Sequence, residues 1–273
     1  MDQKLKIRTK TAIVFGATVL ALVLSGNVTA MIFVALVAIL AGTEFANINK
    51  LQDIRWHSYF IVAALMALVF YAFKTQYSPG AYIILLALCC LFNLFLLVTI
   101  YLNNQNLTWH SRYLFFYMII PAVLFLFYLI NNPIESFSMN ILLIILLLIW
   151  SNDSFAYLIG SKIGKYKLFE RVSPNKTWEG FIGGAIGTLL VAIILAKFSN
   201  FDLKTMILLA LICSIFGTYG DLYQSSVKRE FGLKDSGNIL PGHGGFWDRF
   251  DSFIYVWPFV LMVLYLNSIT QIN

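Results

Sequence analysis

Three acidic residues, Asp221, Asp248 and Asp251, bracket a run dense in basic residues and glycine. Between them lie Ser225, Lys228-Arg229, Lys234-Asp235, Pro241-Gly242-His243-Gly244-Gly245 and, beside Asp248, Arg249. Asp221 sits near the end of an apolar stretch, where a carboxylate is costly unless it faces a cation or a polar cavity. Asp248 and Asp251 are three apart, so on a helix they share a face. The three carboxylates suit a hard divalent ion, since Mg²⁺ takes one or two carboxylates and leaves its remaining positions to phosphate oxygens and water. The alternative for each aspartate is an ion pair with Lys228, Arg229 or Arg249. Gly242, Gly244 and Gly245 let backbone N–H groups approach an anion closely, or they form a plain turn. His243 between them suits general acid–base work and a loop-bracing hydrogen bond equally.

A second polar run, Ser173-Pro174-Asn175-Lys176-Thr177-Trp178-Glu179-Gly180, lies some forty residues earlier. Ser173, Lys176 and Thr177 are candidate phosphate donors; Thr177 equally suits a helix N-cap, and Trp178 an interfacial anchor. Asp153 falls inside an apolar span, a functional position by default and a further metal-ligand candidate. His57 and His110 have tryptophan neighbours near helix ends and fit the membrane interface. Cys89, Cys90 and Cys213 lie within apolar runs without ligand spacing and are expected to be packing residues.

These residues must be positioned by elements of an unusual kind. Hydrophobic residues make up 60% of the chain and charged ones 12%, against about 25% charged in soluble domains; the mean hydropathy is +0.80. Long uncharged runs imply an all-α, polytopic membrane helix bundle of about nine spans. Expected spans lie near 11–25, 28–46, 57–73, 80–102, 112–130, 138–160, 180–198, 204–224 and 252–269, with turn residues between them. Val28-Thr29-Ala30 resembles a signal-peptidase site, but a second apolar run follows at once, so the first two spans are expected to stay as a hairpin. With the N-terminus inside, 16 of the 19 lysines and arginines fall on the inner side and 3 (Lys74, Lys197 and Lys204) on the outer side. That asymmetry predicts a cytoplasmic N-terminus in the plasma membrane and a cytoplasmic site. Some of the basic excess can serve anionic lipid headgroups. The natural division is an N-terminal transmembrane half, 1–137, and a catalytic half, 138–273, with long inner loops at 160–180 and 224–251.

The run Ser225 to Asp251 resembles the signature of the phosphatidate cytidylyltransferase family, also called CDP-diacylglycerol synthases. The matching residues are Ser225, Lys228-Arg229, Lys234-Asp235, Pro241, His243-Gly244-Gly245, Asp248-Arg249 and Asp251. Ser173 to Gly180 resembles a second family motif, with Asn175 in place of the first of two basic residues, and Gln224 stands where many relatives carry Glu. The resemblance implies condensation of CTP with phosphatidic acid to CDP-diacylglycerol and pyrophosphate. It also implies Mg²⁺ dependence, a second monovalent cation such as K⁺, and a homodimer. In that reaction Asp221, Lys228, Arg229, Asp248 and Arg249 are the expected catalytic residues. Ser173, Lys176, Thr177, Lys234, His243, Gly244 and Gly245 are the expected substrate contacts. Asp221, Asp248, Asp251 and Asp153 are the metal candidates, Asp221 and Asp248 foremost. A lipid bilayer is implied and no nucleic-acid partner. A compact chain without a long polar N-terminal extension leans bacterial. The spaced aspartate motif of CDP-alcohol transferases is absent, and so is the internal repeat common in transporters.

Overall fold

The computed structural model describes residues 3–48, 79–102, 115–132, 134, 139–242 and 244–272. The expected span near 57–73, His57, His110 and His243 lie outside the described residues. The described elements are α1 (Gln3–Leu24), α2 (Asn27–Ile48), α3 (Pro79–Leu102), α4 (Ile120–Asn131, entered through a π turn at Phe115–Ile119), α5 (Ile141–Ile163), β1 (Lys167–Phe169), β2 (Ser173–Thr177), α6 (Trp178–Leu195), α7 (Leu203–Glu230) and α8 (Trp247–Ile272). Among the described residues six helices are long and apolar enough to cross a membrane, and Thr9–Leu24 and Tyr117–Asn131 are shorter apolar helices. The fold is thus a mostly helical membrane bundle.

The helix ends on either side of the second polar loop differ from expectation, for one reason. Helix α7 runs on to Glu230 and α8 starts at Trp247, so the loop between them is 231–246 rather than 224–251. Gln224, Lys228 and Asp248 are polar yet helical, because each is paired across the α7–α8 contact. The loop between α5 and α6 holds an antiparallel hairpin, β1 with β2, registered by Lys167 opposite Thr177 and Phe169 opposite Ser173. No alternating apolar pattern announces it.

One buried core runs through both halves of the chain. Phe15 of α1 packs on Phe246 and Phe250, Phe33 of α2 on Phe250 and Phe253, and Phe125 of α4 on Trp257. Helices α5 and α6 approach closely because Gly180, Gly183, Gly184 and Gly187 face α5; a Cβ on Gly184 would lie 2.8 Å from Asn152 Oδ1. Such paired small-xxx-small spacings are how membrane helices gain packing where lipid supplies no hydrophobic drive. The opposite side of α6, with Ile182, Ile186, Leu190 and Ile194, is exposed and apolar, as a lipid-facing surface is. Cys89 and Cys213 are buried and Cys90 is half-buried, all three as free thiols.

Helix ends set the direction of the bundle. Asn140 caps α5 by accepting from Leu143 N–H at 3.0 Å, and its amide donates to the Val23 carbonyl at 3.1 Å. The start of α5 and the end of α1 therefore share one end of the bundle. The C-terminal ends of α2, α5 and α7 and the N-terminal ends of α6 and α8 gather at the other, where the polar loops lie.

Candidate active site

The hairpin delivers Lys176. Thr177 ends β2 and begins α6: its backbone is extended, and its Oγ1 accepts from Gly180 N–H at 3.1 Å. Of its two expected roles, the capping one is present. Glu179 in the first turn accepts from the Lys165 N–H at 3.0 Å, and the Trp178 N–H donates to the Tyr166 carbonyl at 2.9 Å, closing the hairpin on the helix. At the hairpin turn, Arg171 donates to the Ile100 carbonyl at 2.6 Å and lies over the Phe169 ring. A guanidinium on the last-turn carbonyls of α3 is a favourable C-terminal cap.

Lys176 Nζ lies 2.5 Å from Asp221 Oδ2 and donates to the Thr218 carbonyl at 3.5 Å. Burial pulls its ammonium toward neutrality, but the Asp221 carboxylate, aided by Asp153 and Asp251, outweighs that and holds it above the ordinary lysine range. Lys176 is therefore a fixed cation at neutral pH. Asp221 also accepts from Ser225 Oγ at 3.3 Å and interacts electrostatically with Asp251 of α8. Asp153 of α5, exposed, faces Lys176 and Asp221. The close passage of α7 and α8 makes this possible: a Cβ on Gly220 would lie 2.6 Å from Tyr255 Cβ and 3.1 Å from the Asp251 carbonyl oxygen. Any larger residue would push Asp251 away from Asp221.

Asp248 has different surroundings. Its Oδ1 receives Lys228 Nζ at 2.8 Å and Gln224 Nε2 at 2.9 Å. Its Oδ2 receives the N–H groups of Ser236 and Gly245, each at 2.8 Å. Both oxygens are engaged, and the Lys228 and Asp248 side chains are 10% and 7% exposed. The ion-pair alternative is the one observed here: Asp248 anchors the loop, and Lys228 connects it electrostatically to Asp221 and Asp251. Asp248 and Asp251 do share the α7-facing side of α8, one turned to the loop and one to Asp221.

The remaining expected residues spread around this centre. Ser173 is half-buried at the start of β2. Arg229 is exposed and donates to the Leu233 carbonyl at 2.8 Å, closing the end of α7. Lys234, Gly244 and Arg249 line a cavity of about 510 Å³ together with Asp235, Asn238 and Gly242. Gly244 has φ +87° and Gly242 φ +76°, a backbone that other residues adopt at a cost. Gly245 is buried against Ser236 and Glu44, where no Cβ fits.

Glu44 of α2 is the participant that sequence reasoning passed over. It is 4% exposed and accepts from Ser236 Oγ at 2.6 Å, Phe246 N–H at 2.7 Å and Trp247 N–H at 2.9 Å. A carboxylate within an apolar span was the available signal. Arg171 and Gln224 were likewise unremarked as contacts, and nothing in their spacing pointed to Ile100 or Asp248.

Among the described residues no three Asp, Glu, His or Cys side chains form a ready metal cage. The donor chemistry nonetheless fits a hard cation that arrives with other ligands. Asp221 and Asp251 face each other across the α7–α8 contact, where a cation offsets their like charges, a part that Lys176 already plays at Asp221. Asn152 Oδ1 and Gln224 Oε1 are buried oxygens without a hydrogen-bond donor. Asp248 carries four donors in this structure.

Comparison with known proteins agrees in extent. The profile of the cytidylyltransferase family matches residues 6–267. The phosphatidate cytidylyltransferase of Staphylococcus haemolyticus is 37% identical over 267 residues, covering 95% of this chain and 99% of that one. That of Staphylococcus aureus strain COL is 35% identical over 267 residues, covering 97% and 100%. That of Staphylococcus saprophyticus is 36% identical over 264 residues, covering 95% and 99%. A match running from the first helix into the last makes this chain a member of the cytidylyltransferase family.

Proposed function

We propose that the chain is a bacterial phosphatidate cytidylyltransferase of the plasma membrane, making CDP-diacylglycerol and pyrophosphate from CTP and phosphatidic acid. The observation that carries this reading is the Lys176–Asp221–Asp251 cluster at inner helix ends, beside a basic, glycine-lined cavity. A phosphate oxygen of phosphatidic acid attacks the α-phosphorus of CTP. The bond from that phosphorus to the β-phosphate bridging oxygen breaks, and pyrophosphate leaves with the electron pair. The nucleophile is already ionised at neutral pH, so no strong base is needed; bringing two polyanions together and offsetting their charge is the main task.

Each residue has a part in that task. Lys176, a fixed cation on the hairpin, meets the negative charge that gathers around the α-phosphate. Lys234 and Arg249 line the cavity that takes the rest of the triphosphate, with Gly244 admitting close backbone approach. Lys228, held by Asp248, keeps the α7–α8 joint neutral. Asp221 and Asp251, with Asp153 beside them, would hold Mg²⁺, which when bound supplies charge neutralisation at the triphosphate oxygens. Helix ends at the inner membrane surface let the acyl chains stay in the bilayer while the headgroup meets a soluble nucleotide.

The cytoplasmic placement of the site is supported by the 16 inner lysines and arginines among 19. A homodimer and a second monovalent cation such as K⁺ belong to the same proposal and are supported by the Ser225–Asp251 resemblance. The test is the purified chain in detergent with labelled CTP and phosphatidic acid, with and without EDTA. Pyrophosphate release that needs both substrates and stops with EDTA is expected; substrate passage without pyrophosphate would mark a transporter instead.

A further inference from the structure

We propose that Glu44 is a positioning residue that sets the nucleotide-binding loop and the start of α8 from inside the bundle, an inference that rests on the function proposed above. Glu44 is 192 to 203 residues away in sequence from the groups it holds. It closes the loop at its base: Ser236 on the ascending side and Phe246 and Trp247 on the descending side all donate to its carboxylate. The sequence around it is shaped to admit it. A Cβ on Gly237 would lie 2.7 Å from Glu44 Oε1, and one on Gly245 would overlap Glu44 Oε2.

The same loop base is clamped a second time by Asp248, through the N–H groups of Ser236 and Gly245. Two carboxylates from different helices thus fix both strands of the loop, while Lys234, Asp235, Asn238, Pro241 and Gly242 between and beside the clamps are exposed and line the cavity. An exposed polar loop has no apolar core to hold its shape, so hydrogen bonds must. The Glu44 bonds also satisfy Phe246 and Trp247 N–H groups at the α8 N-terminus, which have no partner inside the helix. Asp248 lies in the first turn of α8 and Asp251 in the second, so Glu44 sets the register from which both reach the site.

The experiment is steady-state kinetics of the full chain in detergent, varying CTP and phosphatidic acid separately, for the native chain, Glu44→Gln and Ser236→Ala. Glu44→Gln is isosteric but turns an N–H toward donors. The KM for CTP is expected to rise about tenfold or more, while the KM for phosphatidic acid stays within about twofold. Ser236→Ala removes one donor and should give a smaller rise in the KM for CTP. A folded Glu44→Gln with native KM for CTP, or one in which both substrates lose equally, would overturn the proposal. If Glu44→Gln does not fold, Ser236→Ala decides, and a native KM for CTP there overturns it. Hydrogen exchange of residues 236–247 without substrate adds a readout independent of the reaction. Faster exchange is expected in both variants, and unchanged exchange overturns the proposal even if the native chain turns over no CTP. An active native chain with unaffected variants removes the role of Glu44 and leaves the proposed function standing.

Discussion

Lys228 is nearly buried, and its ammonium rests on Asp248 at 2.8 Å. Removing that carboxylate would strand a buried charge, together with the Gln224 amide and two loop N–H groups. Asp248→Ala is therefore expected to lose about 3–5 kcal/mol of stability, seen as a large fall in thermal midpoint in detergent. Asp221 has the opposite profile: it is half-buried and faces Lys176 at a solvent-reachable joint. Asp221→Asn keeps the shape and the Ser225 contact, so the fold should survive while turnover falls by about 10²-fold or more. An Asp248→Ala chain as stable as the native one would sink the anchoring role. Lys176 adds a pH statement. Its folded value is raised, so its pairing with Asp221 is fully present below about 10.4, the unfolded lysine value, and is lost only as pH rises through the still higher folded value. Thermal stability of the native chain should therefore show no Lys176-dependent fall between about pH 7 and 9; a fall there that Lys176→Met abolishes would contradict the assignment.

At the scale of elements, the α7–α8 joint is the most sensitive place. Gly220 touches Tyr255 and the Asp251 backbone, so Gly220→Leu should separate Asp221 from Asp251 and remove activity, as measured by pyrophosphate release, while far-ultraviolet helicity is kept. Arg171→Ala should release the hairpin from α3 and weaken use of both substrates through Lys176. The long apolar runs made the described helices legible from sequence, because 18 or so uncharged residues have few other fates. The ends of α7 and α8 were less so. Gln224, Lys228 and Asp248 look like loop residues until the partner across the joint is known, and sequence spacing does not supply partners on another helix. The hairpin was hidden by its short strands and by Pro174, which breaks any strand pattern. At the site, the sequence displays the residue types, among them Lys176 and Asp221, which pair, while the loop contacts of Asp248 and of Glu44 depend on partners on other elements that spacing does not supply.

For the molecule as a whole, the polar groups gather where α2, α5 and α7 end and α6 and α8 begin, leaving the apolar sides of α3 and α6 to lipid. This one-sidedness is what joins a membrane-bound phosphate to a soluble triphosphate. It also predicts topology: a single cysteine at position 175 should react with an impermeant thiol reagent only when the cytoplasmic face is open, and labelling from outside intact cells would reverse the orientation. The most direct test of the central claim is pyrophosphate release by the purified native chain and Asp221→Asn, with CTP, phosphatidic acid and increasing Mg²⁺. The native chain should turn over only with both substrates and Mg²⁺, and a folded Asp221→Asn should stay near background at every Mg²⁺ concentration. Native rates in Asp221→Asn, or native turnover undiminished by EDTA, would contradict it.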